Sequence, residues 1–399
     1  MLKSGGLVWL SGRMSGLRRA FLLLSALLLV SPDASAEKIH EVQKGHTLWT
    51  IARRYGVSVQ AIAERNGLEE KTKIHPGQKL VIPDGTAASD SKPPADAERS
   101  PERGKSAWAS DKPPPSTQTQ KTAAERGVNP CNTPDPGFGM YGRWDRSPSL
   151  GQMLAPERGG ISRDGRFDVM FHFHGHEPVR KEWVRVMDGA VLVGIDLGIG
   201  SGPYSSAFNA PDAFRRLVES VERAMAKRHG RGKARARHVG LSAWSAGYGA
   251  VQEILGTAYG REHVDSVVLL DGLHTGYVGE HQLNGQPLGS IVAYAKRAAR
   301  GQAFMFVSHS SIIPPGYAST TETANYLIWQ LGGRAVPTRP RAGDPMGLEL
   351  ISRYSRGGFH VRGYRGNDKM DHCAHIGLFR DVLKVHVKRR WKSPRGRGR

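Results

Sequence analysis

Ser245 stands in Ala243-Trp244-Ser245-Ala246-Gly247, a serine with a small residue two positions to either side. The apolar run from His238 to Trp244 leads into it, and Val251, Ile254 and Leu255 follow at helical spacing, which predicts a strand, a sharp turn at Ser245 and a helix. Such a bend strains the serine backbone and presses its neighbours against adjacent chain, so only small side chains fit beside it. A hydroxyl held at that bend is a nucleophile once a neighbouring base takes its proton. The plain alternative is a Gly/Ser-rich turn with no chemistry.

Nucleophilic chemistry needs a base, a carboxylate that orients the base, and N–H donors for the developing oxyanion. His372 is the preferred base: it sits just ahead of a helix marked by Ile376, Phe379, Val382 and Leu383, with His375 as the alternative inside the first turn. Asp271 directly follows the apolar run Val264 to Leu270 and is the preferred acid, although a carboxylate there can also cap the turn at Gly272. Glu322 is the alternative, as the first carboxylate after the apolar run Ala303 to Val307. At the end of another apolar run lies His172-Phe173-His174-Gly175-His176, where glycine lets backbone N–H groups turn inward. Gly175, His176 and Ala246 are therefore the expected oxyanion donors. Three histidines spaced by two also suit a metal-binding face. The expectation is nevertheless no metal and no cofactor, because only His372 and His375 offer a second cluster.

The elements that must position these groups are continuous apolar runs alternating with helical patterns. Phe167–His174, Ala190–Asp196, His238–Trp244, Val264–Asp271, Ala303–Val307 and Gly358–Tyr364 read as strands, and Asp212–Lys227 as an amphipathic helix with Phe214, Leu217, Val218, Val221 and Met225 on one side. That alternation predicts an α/β fold with a doubly wound, mostly parallel sheet over residues 129–391. Ligands of such sheets bind beyond the carboxyl ends of the strands, where Ser245, Asp271 and His176 fall. Residues 198–208, rich in Gly and Ser, are expected to line the pocket there.

The chain of 399 residues carries 57 Lys and Arg against 36 Asp and Glu, a net +21, which favours anionic surroundings such as envelope polymers. No nucleic-acid motif accompanies the charge, so nucleic acid is not expected as a partner. Residues 1–36 read as an export signal: Arg13, Arg18 and Arg19 precede the apolar run Ala20 to Val30, and Ala34-Ser35-Ala36 suits cleavage. No membrane-spanning segment is expected after cleavage, and the protein is placed in the periplasm, the cell wall or outside the cell. The two cysteines, Cys131 and Cys373, can pair in such an oxidising compartment. Residues 85–128, with Pro93-Pro94 and Pro113-Pro114-Pro115, read as a disordered linker, and 392–399 as a basic tail.

Residues 37–84 read as strand, two helices and strand. Gly45-His46-Thr47-Leu48-Trp49-Thr50-Ile51-Ala52, Asn66-Gly67-Leu68 and Pro76-Gly77-Gln78-Lys79-Leu80-Val81-Ile82-Pro83 closely resemble a LysM domain. The resemblance implies binding of peptidoglycan or another N-acetylglucosamine polymer through Gly45, Thr47, Leu48, Ile74 and Pro76. His46 replaces the usual aspartate. The order Ser245, Asp271, His372 over residues 129–391 resembles the α/β-hydrolase superfamily, with Ala243 in place of the usual first glycine, and implies cleavage of an ester or amide through an acyl-enzyme. Together these features describe an exported, wall-tethered serine hydrolase. The rival reading is a non-catalytic envelope-binding protein with a hydrolase-like scaffold.

Overall fold

The computed structural model describes residues 38–42, 48, 51, 55, 57, 59–69, 72, 74, 75, 77–83 and 117–392, apart from 279–281, 315 and 340–345. The export signal, the basic tail beyond residue 392, the linker up to residue 116, and Gly45, Thr47 and Pro76 lie outside the described residues. The chain separates into two compact units, divided between Ala88 and Ser89.

In the first unit β1 (Lys38–Glu41) pairs antiparallel with β2 (Lys79–Ile82), and the helix Val59–Arg65 lies between them in sequence. Val42, Leu48, Ile51, Ile62, Ala63, Leu80 and Ile82 bury together as its core. Asn66 fastens helix to strand. Its Nδ2 donates to the carbonyls of Ile62 (2.7 Å) and Val81 (2.8 Å), while its Oδ1 accepts from the Val81 N–H (2.8 Å). Gly67 next to it takes φ +63°, which a side chain would resist. The Asn-Gly pair therefore ends the helix and fixes the closing strand in one step.

The second unit is a nine-stranded sheet in the order β3-β5-β4-β6-β7-β8-β11-β10-β9. β5 (Val191–Ile195), β4 (Arg166–Phe173), β6 (Arg235–Trp244), β7 (Val264–Leu270), β8 (Phe304–Ser310) and β11 (Phe359–Tyr364) run parallel. β3 (Gln152–Leu154) at one edge, and β10 (Leu350–Arg356) and β9 (Val336–Pro337) at the other, are antiparallel. This is an α/β-hydrolase-like arrangement, with the serine strand β6 near its middle. Period-two alternation divides the apolar residues between two faces. Phe171, Leu241, Ala243, Val267, Leu269 and Val307 pack into one core, and Met170, Val268, Leu270 and Phe306 into the other. Among the described residues, no helix is long and apolar enough to cross a membrane.

Among the boundaries that differ from the sequence reading, two bear on the site. Residues Gln118–Arg126, expected within the disordered linker, form a helix: Thr117 caps it, and its Oγ donates to the buried Asp371 carboxylate at 2.7 Å. β8 does not stop at Val307 but continues to Ser310, because its polar residues all find partners inside the protein. Ser308 meets His375, His309 meets Thr321, and the Ser310 N–H reaches Asp271. A residue-by-residue hydropathy reading sees three polar residues and calls a loop.

Several imidazoles are buried as neutral rings. Burial, above all other influences, pushes His172 down to about 3 and His309 and His375 down to about 4. In the unfolded chain these rings titrate near 6.5, so on acidification the unfolded state takes up protons first. Their contribution to stability is complete above that value and is lost as pH falls from about 6.5 towards the folded values. Thermal melts should therefore show Tm falling between pH 6.5 and 5, above the range in which carboxylates titrate; a flat Tm across that interval would contradict the neutral-ring assignment.

Candidate active site

Among the described residues, the non-glycine residues with positive φ are His174 (70°), Ser245 (51°) and Asp271 (43°). Each directly follows the carboxyl end of a strand, β4, β6 and β7 respectively, and those three strands are neighbours in the sheet. Strained backbone of this kind persists only where the surroundings over-determine it. Here the surroundings are packed backbone. A Cβ on Gly247 would come within 2.1 Å of the Phe173 carbonyl oxygen, and one on Gly272 within 2.3 Å of the Ser245 carbonyl oxygen and 2.5 Å of its nitrogen. Gly247 lets the Ser245 turn close against β4, and Gly272 brings the Asp271 loop against the serine itself.

Asp271 is 2% exposed, and its two carboxylate oxygens serve different partners. Oδ1 accepts from the Ser310 N–H (2.8 Å) and from Thr320 Oγ (2.7 Å). Oδ2 accepts from His372 Nδ1 at 2.7 Å. Burial works against ionisation of this carboxyl, but the facing His375 and His372 and the hydrogen bonds outweigh it and hold the group well below the usual carboxylate range. With Nδ1–H given to Asp271, the Nε2 of a neutral His372 is the proton-accepting nitrogen. His372 is carried on the short helix Lys369–Ala374, whose N-terminus is capped by Asp368.

Trp244, the residue before the serine, joins the pieces. Its ring stacks on His372, with centroids 4.8 Å apart and planes at 29°, and on His174 at 5.3 Å and 21°. Its Nε1–H donates to the His372 carbonyl at 3.1 Å. His174 pairs through Nδ1 with the Tyr204 hydroxyl (3.0 Å), and burial, with His372 nearby, lowers its pKa. His274, three residues beyond Asp271, donates Nδ1–H to the Ala318 carbonyl (3.0 Å) and packs edge-on against Tyr248 and Tyr317. Its pKa is lowered chiefly by burial. The helix Gly202–Phe208 reaches this end of the sheet too, where the Tyr248 hydroxyl donates to Ser201 Oγ at 3.2 Å.

The remaining sequence candidates fall elsewhere or are already occupied. His375 is fully buried; its Nδ1 meets Ser308 Oγ at 2.9 Å, and it lies beneath Asp271 rather than at the surface of the site. Glu322 belongs to the capping box of the helix Thr320–Gln330 and accepts from Ser319 and from the Tyr277 hydroxyl. The Gly175 N–H, expected as an oxyanion donor, is committed to Asp196 Oδ1 at 2.6 Å. The His176 ring bonds Asp196 through Nδ1 and Gln152 through Nε2 (2.7 Å). His172 uses both nitrogens, on Ser242 Oγ (2.9 Å) and the His174 carbonyl (2.8 Å). The three histidines therefore do not form one ligand face. Leu48, expected to face a glycan, is 4% exposed and belongs to the core of the first unit, whereas Ile74 is half-buried at its margin.

Sequence reasoning missed Trp244, His174 and Asp196. Asp196 carried a usable signal, a lone carboxylate closing an apolar strand. The stacking of Trp244 had none, because His372 lies 128 positions away.

Residues 40–83 match the model of the LysM domain. The probable autolysin SsaALP of Staphylococcus aureus is 38% identical over 58 residues, covering 14% of this chain and 22% of that protein. The putative sporulation-specific glycosylase YdhD of Bacillus subtilis is 56% identical over 45 residues, 11% of this chain and 10% of that protein. The chain thus spans less than a quarter of the length of these curated relatives. Among solved structures, the poly(3-hydroxybutyrate) depolymerase LpqC of Bordetella parapertussis aligns at 15% identity with TM-score 0.36, over 67% of this chain and 93% of that one. A Pyrobaculum calidifontis esterase aligns at 12% identity with TM-score 0.34, over 68% and 91%. By the family match, the chain carries a LysM domain at residues 40–83; by its own strand order, the sheet of the second unit is α/β-hydrolase-like.

Proposed function

We propose that this protein is an exported serine hydrolase held at the cell wall by its LysM domain and cleaving an ester or amide there. The observation that carries the reading is the 2.7 Å contact of His372 Nδ1 with the buried Asp271 carboxylate, on the loop packed against the strained Ser245. Ser245 attacks the carbonyl carbon while His372 takes its proton at Nε2, and Asp271 holds the ring in the right tautomer and stabilises the imidazolium. The proton then passes from His372 to the leaving group, and water, activated by the same ring, releases the acyl chain. Ala246 N–H, with the N–H of His176 at the unpaired start of its helix, supplies the oxyanion donors. Gly175 does not, since its N–H is taken. Trp244 faces the imidazolium and lowers its energy by cation–π attraction.

The LysM domain supplies effective concentration, raising the local density of wall substrate without taking part in the chemistry. The Cys131–Cys373 disulfide agrees with an oxidising, extracytoplasmic compartment. One observation favours the rival, a non-catalytic envelope protein: the Gly175 N–H, a prime oxyanion donor by sequence, is already bonded to Asp196.

A fluorophosphonate probe should label the wild-type protein and fail to label Ser245→Ala, while His372→Ala should slow labelling by about a thousandfold or more; an unlabelled wild type would establish the scaffold reading. Trp244→Leu should cost about tenfold in kcat, with Trp244→Phe retaining most of it, the scale expected of one desolvated cation–π contact. Sedimentation with insoluble peptidoglycan should retain the full chain and lose it on deletion of residues 37–84; equal retention of both would assign wall binding to the basic charge instead.

A further inference from the structure

We infer that residues 117–131, the stretch by which the chain enters the second unit, form a clamp that positions His372, with Thr117 and Asp371 as positioning residues. The inference rests on the hydrolase reading of Ser245 and His372. The two chain neighbours of His372 are both tied to this one segment. On one side, Asp371 is 0% exposed; its Oδ1 accepts from Thr117 Oγ (2.7 Å) and its Oδ2 from the Asn367 N–H (2.9 Å). On the other side, Cys373 is joined by a disulfide to Cys131. Between the two ties, Gln120 Nε2 donates to Asn367 Oδ1 (2.6 Å) and Thr119 Oγ to the Gly347 carbonyl (3.3 Å).

The arrangement addresses a weakness of the site. Ser245 and Asp271 are fixed by the ends of central strands, but His372 sits on a six-residue helix outside the sheet. A helix that short has little stability of its own and takes its place from what it is tied to. The Asp371 carboxylate is buried next to a residue that must hold its place within about 0.5 Å, and the hydroxyl of Thr117, with the Asn367 N–H and the hydroxyl of Thr119, is among the donors that satisfy it. Removing that hydroxyl takes away the 2.7 Å bond on Oδ1 of a buried carboxylate, and recovering the lost interaction requires the carboxylate, and the helix that carries it, to shift. A displacement of about 1 Å at a reacting group costs up to about a hundredfold in rate. The same segment caps its own helix through Thr117, so the clamp is rigid at the point where it grips.

The test uses the full-length protein and a small activated ester, p-nitrophenyl acetate. Thr117→Val removes the hydroxyl at nearly constant volume, and Thr117→Ser keeps it. Thr117→Val should lower kcat by about ten- to a hundredfold with KM nearly unchanged, shift the pH–rate profile, and weaken or displace the downfield proton resonance of the His372 Nδ1–H. Thr117→Ser should restore all three. Reducing the disulfide in the folded wild type should lower kcat in the same way, reversibly on reoxidation, which keeps the test decisive if Thr117→Val does not fold. Unchanged kcat and an unchanged His372 resonance in Thr117→Val, or full activity after complete reduction, would overturn the clamp. A wild type that neither turns over the ester nor accepts the fluorophosphonate would overturn the hydrolase reading and the clamp with it, an outcome distinct from an active enzyme indifferent to Thr117.

Discussion

A carboxylate with almost no access to water organises the second unit. Placing a charge inside a protein is costly unless every lone pair finds a donor, and removing one partner of such a group is more damaging than never having built it. Asp271 meets the requirement with donors from three separate parts of the chain: the Ser310 N–H at the end of β8, the hydroxyl of Thr320 in the first turn of the next helix, and the ring of His372. Each demand shapes what lies around it. β8 must run three polar residues past its apolar segment, the helix after it must start at Thr320, and the histidine helix must fold back over the end of β7.

The strain at Ser245 belongs to the same construction. Adjacent parallel strands end together, so the residues that follow them share one edge, and their backbones must diverge quickly to make room. His174, Ser245 and Asp271 all do so through left-handed conformations, with glycine at the two points of closest backbone approach. Trp244 then joins the β4 loop to the histidine helix, stacking with an imidazole from each. Its position immediately before the serine means that the turn which strains Ser245 also sets the plane against which His372 rests.

A second group of imidazoles lies below the site as neutral, hydrogen-bonded core. His172, His309 and His375 pair through Nδ1 with the hydroxyls of Ser242, Thr321 and Ser308, the Nε2 of His375 being left without a hydrogen bond, and burial holds the three rings uncharged. In sequence they are indistinguishable from His372. What separates them is a direct hydrogen bond to a carboxylate together with partial exposure, and both are properties of the folded chain.

Local spacing was enough to read the LysM unit and the mostly parallel sheet with its serine bend, and to make Ser245 with a loop histidine the expected chemistry: period two in strands, helical period after the bend, small residues where backbones touch. It also singled out Asp271, since a carboxylate closing an apolar strand is visible in one dimension. Other features are set by contacts distant in the chain. Whether His372 or His375 meets Asp271, whether the Gly175 N–H is free or bonded, and whether residues 117–126 are disordered linker or a helix tied to Asp371 all depend on contacts between residues from 21 to 254 positions apart. Such contacts are settled by which strand ends converge and which buried groups must be satisfied there, and no local pattern encodes that.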